Sequence, residues 1–208
     1  MMSGQVHQNL SLEAQGLAVG HGETMLATGL SFSVPAGTGL LLRGPNGAGK
    51  STLLLTLAGL LPPLAGSIAI AGHDPEDGPA LHHCGHRNAV RPRLSVRQTL
   101  DFWAAINGPT GIDPAAALDR VGLGRIAGLD AGYLSAGQQR RLVLARLLVS
   151  QRPVWLLDEP TAALDADGQV LLETLVGAHL AEGGVVVIAT HDAIGVDGLR
   201  TLELGGAA

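Results

Sequence analysis

Cysteine is almost absent. The single one, Cys84, leaves no internal disulfide to form, and the N-terminal stretch MMSGQVHQNLSLEAQ has neither a positively charged start nor a long apolar core. A disulfide-stapled secreted domain is therefore excluded, and a cytoplasmic location is expected. Charge is scarce as well: charged residues are 15% of 208, with a formal balance of −5. No basic face is available for general nucleic-acid binding, and a polybasic membrane anchor is equally unsupported. Long hydrophobic runs are missing too. The richest stretch, LLLTLAGLLPPLAGSIAIAG, is cut by Pro62 and Pro63 well before the ~20 apolar residues of a spanning helix. Neither a solenoid-spaced repeat nor a low-complexity tract occurs. What is plentiful is apolar sequence in short runs, 46% of the chain, and glycine, 30 residues, which means many tight turns. The length suits one domain with a substantial core, or a core plus a small subdomain. Gly-rich breaks at 108–111 and 182–184 read as loops between elements.

One glycine cluster carries chemistry. In LLLRGPNGAGKSTLLLTLAGL an apolar run, a turn and a helix-competent segment follow one another, and GPNGAGKS at 44–51 fits G-x-x-x-x-G-K-[ST] in the required strand-loop-helix context. Gly44, Gly47 and Gly49 let backbone N–H groups approach phosphate oxygens, and the helix opening at Lys50 points its positive end at the same charge. Lys50 is expected to neutralise the β- and γ-phosphates, and Ser51 to offer its hydroxyl to Mg²⁺. Pro45, Asn46, Ala48 and Thr52 complete the loop. The plain alternative, a turn that only joins strand to helix, leaves the Lys-Ser pair and the flanks unexplained. Nucleoside triphosphate binding is implied.

Two further apolar runs end on polar groups. Val154 to Leu157 read as a buried parallel strand, with Asp158 and Glu159 following where it emerges, the edge at which open α/β sheets bind ligands. Consecutive strand residues point oppositely, so Asp158 is expected to hold Mg²⁺ and Glu159 to reach the water attacking the γ-phosphate. VVVIAT at 185–190 ends on His191, followed by Asp192. As the third polar terminus at that edge, His191 is expected to sense the γ-phosphate. YLSAGQQRRLVLARLLVS at 133–150 opens with a capping-box pattern, Ser135 with Gln138, and continues as an apolar-periodic helix through Leu142, Ala145, Leu148 and Val149. Its N-terminus could serve a second phosphate or simply be well capped, and the residues alone leave both readings open.

GPNGAGKS, LSAGQQRR, VWLLDEP, AALD and ATHD stand in the order and spacing of the ATP-binding cassette ATPases, and this resemblance covers nearly the whole chain. It implies an α/β phosphate-loop fold with a helical subdomain, a single domain over 1–208 with its core in 1–87 and 151–208 and helices in 88–150. It also implies ATP hydrolysis and a head-to-tail homodimer enclosing two ATP. Leu134, Ser135, Ala136, Gly137 and Gln138 would be the signature that meets the partner's ATP, with Ser135 and Gly137 at the γ-phosphate and Asp165 in a loop crossing the interface.

Within that family the chain looks most like the ATP-binding subunit of haem exporters used in c-type cytochrome maturation. LSAGQQRRLVLARLL, GHRNAVRPRLSVRQTLDFW and a chain stopping soon after His191 carry the likeness. An integral membrane subunit would then supply the spanning helices, this chain would sit peripherally on the cytoplasmic side of the inner membrane, and no direct haem binding is expected of it. Two positions depart from the wide family pattern. Where an aromatic ring usually stacks on adenine, LAVGHGETML offers His21, a weaker stacking group. Where a glutamine usually senses Mg²⁺ and water, the matching position is His86, as in the haem-exporter members.

The run LHHCGHR could also be a metal site. His82, Cys84 and His86 alternate, which would let them share a strand face, but a closed zinc site needs about four ligands and no other Cys or His pair has motif spacing. Strand residues leading to a coupling His86 are expected instead. Other functions fit less of the sequence. A drug, lipid or nutrient transporter subunit would differ only in its membrane partner. Soluble cassette proteins of DNA repair or ribosomes carry coiled coils, twin cassettes or basic surfaces absent here. A small-molecule phosphoryl transferase leaves LSAGQ and ATHD unexplained.

Overall fold

The computed structural model describes residues 9–22 and 24–205. Residues 1–8 of the stretch expected to lack a secretory signal lie outside them. The chain forms two compact units, one from the chain up to Gly85 with 153–160 and everything from Leu175 onward, the other from 86–152 and 161–174.

The first unit holds two sheets. Strands β1 (Ser11–His21), β2 (Thr24–Pro35) and β4 (Ala65–Ala71) make an antiparallel sheet with β1 in the middle. Strands β3 (Gly39–Arg43), β5 (Leu81–Cys84), β6 (Val154–Asp158), β7 (Val185–Ala189) and β8 (Leu199–Glu203) make a parallel sheet in the order β5-β6-β7-β3-β8. Residues of β6 and β7 are buried throughout, which is why they read as unbroken apolar runs. β1 instead alternates at its start, burying Leu12 and Ala14, as a strand with one covered face should. Helix α1 (Lys50–Leu57) packs against β1, β6 and β7. Its Leu53, Leu54 and Leu57 join Leu12, Val34, Leu40, Leu42, Leu156, Val185 and Val187 in one core. Each such side chain contributes about 1.5–3 kcal/mol on burial. The strand order brings the carboxyl ends of β6, β7 and β3 side by side, although Arg43 and Asp158 are far apart in sequence.

The second unit is helical. Ser95 caps α2 (Val96–Asn107) and Ser135 caps α4 (Ala136–Val149), each in a complete capping box with Gln98 or Gln138 reaching back. Asp113 caps α3 (Pro114–Arg120), whose Pro114 occupies the first turn, where a missing N–H costs nothing. Val96, Leu100, Leu118, Val121, Leu142 and Leu144 are buried in this unit. The guanidinium of Arg91 lies 4.1 Å from the Phe102 ring centroid, and that of Arg146 lies 4.3 Å from the centroid of Trp103. Helix α5 (Ala166–Ala181) begins here, and the Asp165 side chain accepts from its Gly168 N–H at 2.9 Å.

Candidate functional site

β3 ends at Arg43, and residues 44–49 turn the chain into α1. Gly44 has φ 133° and Gly47 φ 82°, backbone that side-chain-bearing residues avoid. Pro45, Asn46, Ala48 and Gly49 lie in this turn, which ends where Lys50 opens the helix. The Lys50 side chain folds back over the loop, its ammonium donating to Gly44 O at 2.7 Å and Pro45 O at 3.1 Å and meeting His191 Nε2 at 3.2 Å. Two of the three ammonium N–H bonds thus meet carbonyl acceptors, and the third side faces an imidazole nitrogen. Thr52, on the buried side of α1, places its hydroxyl 3.1 Å from Nε2 of His21, which is itself exposed at the end of β1.

Asp158 closes β6, and its Oδ1 accepts from Ser51 Oγ at 3.1 Å. Glu159 follows in left-handed backbone, φ 46°, a conformation that costs a non-glycine residue about 1–2 kcal/mol. Its N–H donates to Ala189 O of the adjacent strand at 2.7 Å, which helps hold that conformation. Non-glycine residues in such backbone concentrate at reacting sites, where the geometry serves the chemistry. Glu159 Oε1 is 3.8 Å from His191 Nε2, and Asn46 Oδ1 is 3.0 Å from the same nitrogen. Asn46 and Lys50 of the glycine loop and Glu159 after β6 therefore meet at one imidazole. That nitrogen serves partners with opposite needs, an ammonium that donates and an amide oxygen that accepts. The His191 proton decides which contact is made.

In the second unit Leu134 is buried, while Ser135 and Ala136 are exposed at the start of α4, with Gly137 and Gln138 half-buried behind them. Asp165 is exposed, and its Oδ1 also accepts from Arg141 Nη2 at 2.8 Å. That bond and the Gly168 N–H hold its carboxyl below the ordinary carboxylate range. His86 is exposed.

The expected sharing of a strand face by His82, Cys84 and His86 needs correction. β5 ends at Cys84, whose partner is Leu157 of β6, so the buried face holds His82 and Cys84 and the chain leaves the ladder before His86. Among the described residues no group of three His, Cys, Asp or Glu side chains could hold a metal ion. A hard cation would find a different set, the Ser51 hydroxyl beside the Asp158 carboxylate, both oxygen donors of the kind Mg²⁺ takes.

Sequence reasoning missed Arg43. Its guanidinium donates to the carbonyl oxygens of Thr190 and Asp192, on either side of His191. Arginine before a glycine loop is no motif, and the partner carbonyls lie 147 and 149 residues away.

A glycine loop opening a helix from the carboxyl edge of a parallel sheet, with a serine hydroxyl bonded to the neighbouring strand's terminal aspartate, defines a phosphate-loop nucleoside triphosphatase. The ABC transporter family pattern matches residues 27–162. A Chelativorans sp. (strain BNC1) protein named Cytochrome c biogenesis ATP-binding export protein CcmA is 46% identical, over 94% of this chain and 98% of that one. A Ruegeria pomeroyi protein of the same name is 50% identical over 94% and 92%. A solved Pyrococcus furiosus structure, described as an ABC transporter ATP-binding protein, superposes with TM-score 0.79 at 26% identity, over 92% of this chain and 97% of that one. The chain belongs to the ABC transporter ATP-binding family; it binds ATP and is an ATPase. No helix among the described residues is long and apolar enough to cross a membrane.

Proposed function

We propose that this chain is the ATP-hydrolysing subunit of the exporter used in cytochrome c biogenesis, acting on a haem-handling step through a separate integral membrane subunit. The names carried by relatives 46–50% identical over nearly the whole chain support the export role. Convergence of Lys50, Asn46 and Glu159 on His191 supports the hydrolytic one. ATP would lay its phosphates along the loop of 44–52, with Lys50 turning from the Gly44 and Pro45 carbonyls to the β- and γ-phosphates and His21 lying against adenine. Ser51 and Asp158 would hold Mg²⁺, which supplies charge neutralisation at the phosphates. Glu159 takes the proton of the attacking water, and His191 hydrogen-bonds the γ-phosphate and passes protons with Glu159.

Two copies would pair head to tail, Leu134, Ser135, Ala136, Gly137 and Gln138 of one meeting the ATP of the other, and Asp165 crossing between them. His86 would report nucleotide occupancy to the membrane subunit. The chain would work peripherally on the cytoplasmic side of the inner membrane and leave haem itself to its partner.

The test sets turnover beside ATP affinity. Lys50→Ala should lose tight ATP binding, whereas Glu159→Gln should keep it and lose ~10²–10⁴-fold in hydrolysis. With ATP and Mg²⁺, Glu159→Gln should double its mass in light scattering, and adding Ser135→Arg should prevent this. Undiminished turnover in Glu159→Gln sinks the hydrolytic assignment. Purification from membranes with a non-export protein in place of a transporter subunit sinks the cargo assignment.

A further inference from the structure

The parallel ladder between β3 and β7 stops at Leu42 and Ala189. One residue further on, Arg43 stays anchored through its main chain on the other side, where its carbonyl accepts from Leu204 N–H at 2.8 Å. Its side chain turns the opposite way and takes over where the ladder ends. One Nη donates to Thr190 O at 2.7 Å, the other to Asp192 O. Between these two carbonyls stands His191. Thr190 is fully buried, and its hydroxyl accepts from Asp192 N–H at 3.1 Å, so the turn carrying the imidazole is pinned at both ends.

The choice of side chain matters. Arginine presents two N–H groups in a rigid planar fork and can bridge carbonyls two residues apart, whereas an ammonium is a point donor. Among the described residues Arg43 makes no ion pair; its hydrogen-bonding capacity is directed at this turn. The His191 ring sits 3.0–3.2 Å from Asn46 and Lys50, distances that close only while its backbone is held.

We infer that Arg43 is a positioning residue for ATP hydrolysis: by clamping the peptide carbonyls on both sides of His191, it sets where that imidazole meets the γ-phosphate. This rests on the role given to His191 above. The hydrogen bonds of the Arg43 side chain go to Thr190 O and Asp192 O and not to the glycine loop or Lys50, so its loss should act on the chemical step and spare binding.

A double-mutant cycle tests this, reading kcat and ATP affinity for Arg43→Leu and Arg43→Lys, each alone and with His191→Ala. Arg43→Leu should lower kcat about tenfold with ATP affinity within about threefold of the parent, and Arg43→Lys, which keeps one donor, should lose roughly two- to fivefold. In the His191→Ala background both losses should shrink below about twofold, because the clamp has nothing left to aim. If Arg43→Leu does not fold, Arg43→Lys carries the cycle under the same criterion. Equal losses in both backgrounds would show Arg43 acting through the fold, and weakened affinity at unchanged kcat would make it a nucleotide contact; either overturns the inference. Wild-type turnover in His191→Ala would remove the role of His191, and the clamp's purpose with it.

Discussion

Two glycines of one loop should fail for different reasons when replaced by alanine. At Gly44, φ 133°, a Cβ would lie 2.2 Å from Leu204 O, an atom of the backbone that pairs with β3. Such backbone costs an L-residue ~1–3 kcal/mol, and moving Leu204 away gives up its N–H bond to Arg43 O, worth ~1 kcal/mol. Alanine returns ~0.4–1 kcal/mol through the stiffer unfolded chain. The net loss for Gly44→Ala is about 1–3.6 kcal/mol, which at ~2–4 °C per kcal/mol for a chain of this size lowers the melting temperature by roughly 2–14 °C. At Gly47, φ 82°, nothing lies within 4 Å of the Cβ. There the left-handed cost of ~1–2 kcal/mol is partly offset by the same unfolded-state gain, leaving ~0–6 °C. The methyl at Gly47 should instead obstruct the approach of phosphate, so Gly47→Ala should bind ATP at least tenfold more weakly (~1.4 kcal/mol) while melting nearly as the parent does. Thermal melts without nucleotide and ATP titrations decide it. A Gly44→Ala protein melting within about 2 °C of the parent, or a Gly47→Ala protein that loses more stability than Gly44→Ala, would refute the reasoning.

Asp165 gives a pH signature. Its folded carboxyl titrates below the ordinary value because Arg141 and the Gly168 N–H bind the charged form, so its contribution is present above about pH 4 and lost as pH falls through the lower folded value. Asp165→Asn should therefore be less stable than the parent at pH 7 and converge with it in acid; a gap in denaturation midpoint that widens below pH 4 would contradict this. The LHHCGHR stretch separates coupling from packing. His86→Ala should leave ATP binding near normal and lower hydrolysis or its response to the membrane partner, with His86→Gln retaining more, since an amide both donates and accepts. Cys84→Ser, in the buried strand face, should shift the melting temperature and not turnover; stoichiometric zinc or haem in the wild-type protein that disappears on Cys84→Ser would overturn that division.

What could be read from the sequence is what neighbours along the chain determine. The glycine loop, the apolar strands before Asp158 and His191, and the Ser135 capping box are contiguous patterns, and each maps onto a single element. β5 shows the limit. Alternation predicts His82 and Cys84 on one face, as the structure has them, but where the strand stops depends on its ladder with β6, which ends at Leu157, one step before His86 could join them. Arg43 was invisible for a stronger reason, because its partners are backbone carbonyls, which have no sequence identity at all. The bond between Asp165 and Arg141 spans 24 residues with no helical register between them to announce it.

The placement of β3 between β7 and β8 has a cost in time. Arg43 ends the strand that feeds the phosphate loop, but the first residue of either neighbour is Val185, about 140 residues later. At the ~5–20 residues per second of synthesis, the loop waits roughly 7–30 s with neither flank paired, its Leu40, Leu41 and Leu42 lacking the neighbours that bury them. Non-local parallel pairing of this kind is also slow once the chain is complete. The half-made protein is thus an unpaired apolar strand edge, the species most exposed to misassociation, until the last ninth or so of the chain, β7 and β8, has joined the sheet on either side of β3.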